Sequence, residues 1–221
     1  MNDPATVPGR RIRVWDLPTR LFHWTLVAAV AAMWWSAENH EMDLHLRLGT
    51  FVVGLLAFRL AWGVLGGSTA RFASFVRGPR AAIDYLRGRS GPAIGHNPLG
   101  GWSVIAMIAL LCAQVGLGLF ASDEDGFAVG PLSNHVSYET ARDLAELHEI
   151  LFNVLFALIA LHVAAILFYA LVRKDNLAGP MIHGRREAPE GAEELNPAGP
   201  VRFLLALAFA VLATLLLTRW L

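Results

Sequence analysis

Histidine is the residue type best able to carry chemistry in this chain of 221 residues, which has eight histidines and a single cysteine, Cys112. With one cysteine, the chain can form neither a CxxCH haem-attachment motif nor a CxxC metal pair. Four histidines lie in or at the edge of long apolar stretches: His23, His45, His148 and His162. A strongly ligating side chain inside a membrane is costly unless it is paired or occupied. These four are therefore the first candidates for a functional site.

Five apolar stretches determine where the four histidines lie. Each is long enough to cross a bilayer as a helix, because about 20 residues span a hydrocarbon core of about 30 Å. The stretches lie at 18–36, 45–66, 99–120, 148–172 and 201–220. The seven tryptophans fall near their ends, where an amphipathic ring prefers the headgroup region: Trp15, Trp24, Trp34, Trp35, Trp62, Trp102 and Trp220. With 55% hydrophobic and 16% charged residues and no net charge, the chain is predicted to be a multi-pass membrane protein, and a strongly basic nucleic-acid binder is excluded.

Basic residues indicate the orientation, because cytoplasmic loops near membrane spans are enriched in arginine and lysine. They cluster before the first span, between the second and third, and after the fourth: Arg10, Arg11, Arg13, Arg20, Arg71, Arg77, Arg80, Arg87, Arg89, Arg173, Lys174, Arg185, Arg186 and Arg202. The opposite side has only Arg47, Arg142 and Arg219. The N-terminus is therefore predicted to be cytoplasmic and, after five crossings, the C-terminus periplasmic.

The same pattern predicts an all-α fold with four segments. Residues 1–17 form a cytoplasmic N-terminus, 18–172 a transmembrane four-helix bundle, 173–200 a polar cytoplasmic linker, and 201–221 an additional C-terminal transmembrane helix without histidine, carboxylate or amide groups. The first stretch lacks a small-residue cleavage site, so we expect a retained span and not a signal peptide.

The histidine spacing predicts two levels within the bundle. His148 and His162 are 14 residues apart on one helix, a rise of about 21 Å that keeps both on one face. The second span enters from outside with His45 in its first turn, and the first span starts from the cytoplasm with His23 in its inner half. The depths therefore match in two pairs, with His45 and His148 outside and His23 and His162 inside.

Two histidines at the same depth on facing helices are typical of b-type haem binding, in which each imidazole takes one axial position of the iron. Zinc prefers three or four clustered ligands, and neither level has a third. Taken singly, each histidine also fits an interfacial imidazole hydrogen-bonded to a neighbouring carbonyl. Small residues leave room for a macrocycle or, alternatively, allow close helix packing: Gly49, Gly54, Gly116 and Gly118.

Arg59 lies 14 residues after His45 and so at the depth of the inner pair. Two interpretations stay open: the guanidinium contacts a haem propionate, or it extends to the cytoplasmic headgroups. The remaining histidines are expected on the surface: His40, His96, His135 and His183. Met33 and Met107 are interpreted as core-filling residues.

Four motifs carry a resemblance to a known family: VWDLPTRLFHW, FRLAWGVLGGSTARFASF, GHNPLGGW, and LHEILFNVLFALIALHVAAILFYALVRKDNLAGPMI. They resemble the bacterial cytochrome b561 family, which includes the b-type cytochrome subunits of nickel-iron hydrogenases, over about residues 11–183. The resemblance implies a bundle in the bacterial inner membrane that holds two non-covalent haem b groups on His23, His45, His148 and His162. It further implies electron exchange between membrane ubiquinone or menaquinone and a partner on one face. The fifth helix and His183 depart from the family's usual pattern and leave the subfamily open.

The leading functional hypothesis is a di-haem electron-transfer protein that connects quinone with an extracytoplasmic partner, either a c-type cytochrome or a redox enzyme subunit. Acidic residues on the outer side favour a basic cytochrome c: Glu38, Glu41, Asp43, Asp123, Glu124, Asp125, Glu139, Asp143, Glu146 and Glu149. Superoxide:quinone oxidoreductase activity and a role as anchor of a hydrogenase or reductase are the alternatives. A proton or metal transporter is a distant one, since carboxylates are absent from the central parts of the spans.

Overall fold

The computed structural model describes residues 10–89, 95–123, 125–126, 128–188 and 194–219. Glu124 and Trp220 lie outside the described residues, as do the ends of the predicted segments 1–17 and 201–221 and the middle of 173–200. Within them the protein is mostly helical. The helices are α1 Leu17–Glu38, α2 Met42–Leu65, α3 Phe72–Phe75, α4 Pro79–Leu86, α5 Pro98–Phe120, α6 Tyr138–Leu171, α7 Ala178–His183 and α8 Pro200–Thr218. A single 3-10 turn, Ser133–His135, precedes α6.

Side-chain caps fix where three of the long helices begin. Asp16 accepts a hydrogen bond from the Thr19 amide before α1, at 2.8 Å, and Asn97 accepts one from the Gly100 amide before α5, at 2.7 Å. Ser137 caps α6 in the same way. A proline follows both Asp16 and Asn97 within two residues, where its missing N–H costs nothing. The helix α6 thus begins ten residues before the predicted span at 148, and its 34 residues reach about 51 Å, well beyond a bilayer core.

Four helices are long and apolar enough to cross a membrane: α2, α5, α6 and α8. Helix α1 has 22 residues but is less apolar than these four, because it contains Arg20, His23 and Glu38. Helices α6 and α8 direct most of their large apolar side chains outward, as Leu161 and Leu204 illustrate with 65% and 59% exposure. Such extensive apolar surface fits a lipid environment and not water.

The central core lies where α1, α2, α5 and α6 meet. Its buried members are Ala29, Val52, Leu56, Leu111 and Leu155. Leu155 is seven residues from both His148 and His162, halfway between the two histidine levels. An apolar layer therefore separates the predicted outer level from the predicted inner one.

Helix α8 packs along α2, and Gly54 makes this approach possible. A Cβ on Gly54 would lie 2.5 Å from Oγ1 of Thr214, so a side chain there would displace either the Thr214 side chain or α8. Further along, Phe203 of α8 contacts Phe58 and Trp62 of α2, with ring centres 6.0 Å apart in each case. Gly54 thus serves helix packing, the alternative that the sequence left open.

Two short strands, which the all-α prediction did not include, close the arginine-rich end of the bundle. Strand β1, Arg10–Arg13, pairs antiparallel with β2, Arg185–Ala188. The second strand and α7 lie within 173–200, so the described part of this segment is structured and is more than a linker. The Leu195 amide also donates to the Arg13 carbonyl at 3.0 Å, which ties the chain before α8 to the same sheet.

Candidate metal centre

The rings of His45, in the first turn of α2, and His148, on α6, face each other across the bundle. Their centres are 6.3 Å apart and their planes are inclined by 79°. A metal–imidazole bond is about 2.0 Å long and the ring centre lies roughly 1.2 Å beyond the nitrogen, so two imidazoles in trans positions on one metal have centres about 6.4 Å apart. The two histidines are therefore spaced to share one metal ion as axial ligands.

Backbone carbonyls hold the Nδ1 atoms of both rings. Nδ1 of His148 lies 2.9 Å from the Gln114 carbonyl, and Nδ1 of His45 lies 3.0 Å from the Met33 carbonyl. A carbonyl only accepts, so each Nδ1 carries the proton and each Nε2 keeps its lone pair. Among the described residues, neither Nε2 has a hydrogen-bond partner. The carbonyl bonds thus account for one nitrogen of each ring and leave the other available for a metal.

Gln114 and Ser36 reinforce this arrangement, although no motif or spacing in the sequence singles them out. The Gln114 amide donates from Nε2 to the His148 carbonyl at 2.9 Å, so Gln114 and His148 are joined by two reciprocal hydrogen bonds. The fully buried Ser36 donates to the Met33 carbonyl at 2.8 Å, and its Oγ lies 3.3 Å from Nδ1 of His45. Partners of this kind fix the orientation and basicity of a ligand.

A cavity of ≈ 520 Å³ surrounds these two rings, a size typical of cofactor sites. Its walls are mostly apolar and include Val30, Leu111 and Phe152. Gly118 lies against His148, where a Cβ would be 2.9 Å from the ring atom Cε1. Glycine at this position therefore leaves His148 the space to point into the cavity.

The structure relates His23 and His162 to each other less closely than the outer pair. His23 packs edge-on against Trp24, with ring centres 5.1 Å apart. Within the described residues, no hydrogen bond to either imidazole is found. The pairing of His23 with His162 on a metal stays a prediction.

Arg59 lies inside the bundle and is only 3% exposed. Its Nη1 donates to the Ala70 carbonyl at 3.3 Å, and its guanidinium carbon lies 4.6 Å from the centre of the Phe72 ring. A buried guanidinium has five donors to satisfy, and these contacts use few of them. This location differs from the headgroup position that the second interpretation required, while contact with a propionate stays a prediction.

His96 departs from the prediction that it is a surface residue. Its ring lies between Trp15 and Phe75, at centre-to-centre distances of 4.6 and 4.4 Å, and its Nδ1 atom is buried without a partner among the described residues. Burial, with a further contribution from the charge of Arg59, lowers the pKa of His96 to about 3. His96 is therefore neutral at physiological pH. By contrast, His40, His135 and His183 are exposed, as predicted.

Asn97, next to His96, joins three elements at this end of the bundle. Besides capping α5, its Nδ2 atom donates to the hydroxyl groups of Tyr85 on α4 and Tyr169 on α6, at 3.0 and 3.3 Å. The two tyrosine hydroxyls also hydrogen-bond to each other. This cluster fixes the short helix α4 against the bundle.

Within the described residues, no cluster of three or more histidine, cysteine or acidic side chains is placed to hold a metal ion. The site geometry thus fits a metal that takes two protein ligands and brings its remaining ligands with it. A family model described as prokaryotic cytochrome b561 matches residues 14–184. Comparisons with curated proteins and with solved structures gave no match.

Proposed function

The chain belongs to the prokaryotic cytochrome b561 family, and we propose that it is a di-haem cytochrome that transfers electrons between membrane quinone and a redox partner on the outer face. The match confirms the family predicted from the motifs. The chain is therefore a bacterial membrane protein and a b-type cytochrome, a class of protein that takes part in electron transport. The observation that carries the proposal is the pair His45 and His148, whose ring centres lie 6.3 Å apart.

The residues around this pair fit a haem. His45 and His148 would hold the outer haem. The carbonyls of Met33 and Gln114 would keep both rings oriented in the oxidised and in the reduced state. Gly118 and the apolar walls would leave a slot for the macrocycle. A bis-histidine haem supplies a one-electron redox centre whose iron has no open position for oxygen.

His23 and His162 are proposed to hold a second haem at the inner level. This requires α1 to cross the membrane as a fifth span, and its 22 residues correspond to about 33 Å, enough for the hydrocarbon core. Exposed Leu21, Val27 and Trp34 along α1 are consistent with contact to lipid. With the arginine-rich end in the cytoplasm, the N-terminus is cytoplasmic and the C-terminus periplasmic.

Arg59 is proposed to face a propionate of the inner haem, and we expect its charge to raise that haem's potential. A cation favours the less positive, reduced state, so Arg59→Gln should lower the inner midpoint potential. For a charge about 10 Å from the iron at an effective dielectric constant of about 20, the change is about 70 mV. Spectroelectrochemical titration measures it. Arg59→Lys, which keeps the charge, should move the potential far less; two unchanged midpoints in the glutamine variant would rule out this role.

Quinone is proposed to react near the inner level, within reach of Arg59 and of the loop that carries Asn97. The Arg59 guanidinium has N–H donors beyond the one that bonds the Ala70 carbonyl, and these would contact a quinone carbonyl in an apolar surrounding. Asn97 is held in place by Tyr85 and Tyr169, so its amide is already ordered.

A basic c-type cytochrome is the proposed outer partner. Glu38, Asp123 and Glu149 line the cavity of the outer histidine pair, and most other acidic residues of the outer side lie on the projecting first turns of α6 and in the adjacent loops. A negative field attracts a cationic protein and repels a small anion such as superoxide.

Stopped-flow reduction at several ionic strengths tests this choice of partner. Electron exchange with a basic cytochrome c should slow by roughly tenfold or more as salt rises from about 10 to 200 mM, because the Debye length shortens from about 30 to under 10 Å. An acidic cytochrome of similar potential is the control and should react slowly throughout. Rapid haem reduction by superoxide, with cytochrome c inert at every ionic strength, would favour the superoxide:quinone oxidoreductase alternative.

Two further alternatives have their own readouts. Co-purification of a hydrogenase or reductase subunit would identify the chain as that enzyme's membrane anchor. A colourless purified protein would favour a transporter and overturn the proposal, whereas a Soret band that shifts with dithionite supports it.

A further inference from the structure

A second cavity, of ≈ 780 Å³, lies at the arginine-rich end of the bundle, between β1, the start of α1, β2 and the start of α8. Five of its lining residues carry or can carry positive charge: Arg11, Arg13, Arg20, His183 and Arg185. Asp16 is its one acidic lining residue among those described, and its carboxylate already accepts from the Thr19 amide and from Nε1 of Trp62. The cavity is therefore strongly cationic.

The register of the small sheet places two of these arginines directly opposite each other. Arg13 of β1 pairs with Arg185 of β2, and like charges at directly opposed positions destabilise a sheet. Glu194 pairs with Arg10 and also accepts from the Arg13 backbone amide at 3.2 Å, and Glu187 pairs with Arg11. Within the described part of the chain, neither Arg13 nor Arg185 has an acidic partner for its side chain. An anion between them would turn repulsion into attraction.

Arg20 adds an unsatisfied donor to the same cavity. Its Nη1 donates to the Ile182 carbonyl, but its Nε is buried and lacks a partner among the described residues. Gly184 lies beside it with a φ of +83°, and a Cβ there would come within 3.2 Å of the guanidinium. Glycine at position 184 therefore leaves space for the Arg20 guanidinium. Its Nε has no acceptor oxygen among the described residues.

We propose that this cavity binds the phosphate of an anionic phospholipid, with Arg13, Arg20 and Arg185 as its donors. Charged hydrogen bonds from arginine to phosphate are among the strongest in proteins. A lipid is favoured over a soluble phosphate because the cavity lies at the first turns of α1 and α8 and the last turn of α2, and because part of its wall is apolar and includes Trp62 and Phe203. Leu17, at its edge, is 55% exposed and would contact the glycerol and upper acyl chains. The site depends on the proposed insertion in the membrane and not on haem.

The test compares Arg13→Gln/Arg185→Gln with Arg77→Gln/Arg80→Gln, which removes the same charge from exposed residues at the same end of the bundle but outside the cavity. Binding of phosphatidylglycerol to the haem-loaded protein is measured by native mass spectrometry, with phosphatidylcholine as the neutral lipid. At about fivefold per arginine, the first variant should bind phosphatidylglycerol about 25-fold more weakly, and the second should match the unaltered protein within about twofold.

Thermal unfolding shows whether weaker lipid binding by Arg13→Gln/Arg185→Gln comes from the lost arginine donors or from a less stable fold. In phosphatidylcholine alone, Arg13→Gln/Arg185→Gln should unfold at the same or a higher temperature than the unaltered protein, because the like-charge contact is gone. Phosphatidylglycerol should stabilise the unaltered protein and not this variant. Equal loss of binding in both variants, equal retention in both, or displacement of the lipid by millimolar inorganic phosphate would each overturn the proposal. Haem absorbance, recorded on the same samples, reports separately on the proposed function.

Discussion

Replacing His148 with alanine should lower the haem content from two per chain to about one, with the inner haem retained. In the proposed assignment each haem would take both of its histidine ligands from its own depth, and an apolar layer around Leu155 separates the two depths. His45→Ala should remove the same haem, whereas His23→Ala and His162→Ala should remove the other. Haem per chain by the pyridine haemochrome assay, together with redox titration, identifies which one is missing.

His183→Ala is the matched control, because His183 is exposed and its Nδ1 accepts a hydrogen bond from the nearby Arg185 amide. This variant should keep both haems and both potentials. The combination His45→Ala/His162→Ala should lose both haems, since it removes one ligand from each level. If all four single variants lost the same haem, or if His96→Ala lost one, the assignment of ligands by depth would be wrong.

The long helices and the relative depths of the histidines along them could be predicted from the sequence, because both follow from regular helix geometry. A helix rises by about 1.5 Å per residue, so the 14-residue spacing of His148 and His162 fixes their relative depth without knowledge of the fold. The caps at Asp16 and Asn97 are equally local, and the predicted starts at 18 and 99 differ from α1 and α5 by one residue each. The predicted start of α6 at 148 was late because apolar content alone cannot show that Ser137 already caps a helix.

The groups that orient the ligands could not be predicted, because they are backbone carbonyls. Met33 and Gln114 contribute atoms that every residue possesses, so only the packing of α1 and α5 against the two histidines selects them. His96 was assigned to the surface for a similar reason. Its burial depends on Trp15 and Phe75, which lie far from it in sequence. The sheet that joins residues 10–13 to 185–188 also requires the whole bundle to bring its strands together.

Gly118→Val should abolish binding of the outer haem while the inner haem remains. Even the first atom of a side chain at 118 would lie 2.9 Å from Cε1 of His148, and 3.2 Å from Nδ1, the atom that donates to the Gln114 carbonyl. The ring must therefore move, which breaks that hydrogen bond and changes where Nε2 lies relative to His45. Gly118→Ala, with fewer atoms, should weaken the outer haem by at least about tenfold, since ligand geometry tolerates only small displacements.

Gly116 supplies the control for this prediction on the same helix, two residues away. A Cβ there meets nothing within 4 Å, so Gly116→Ala should keep both haems. It should also stabilise the protein by up to about 1 kcal/mol, because alanine favours a helix over glycine. Haem content and the low-spin electron paramagnetic resonance signals measure both variants. A Gly118→Val protein that retains two haems with unchanged signals would show that His148 does not need the space beside Gly118. The proposed position of the outer site would then be wrong.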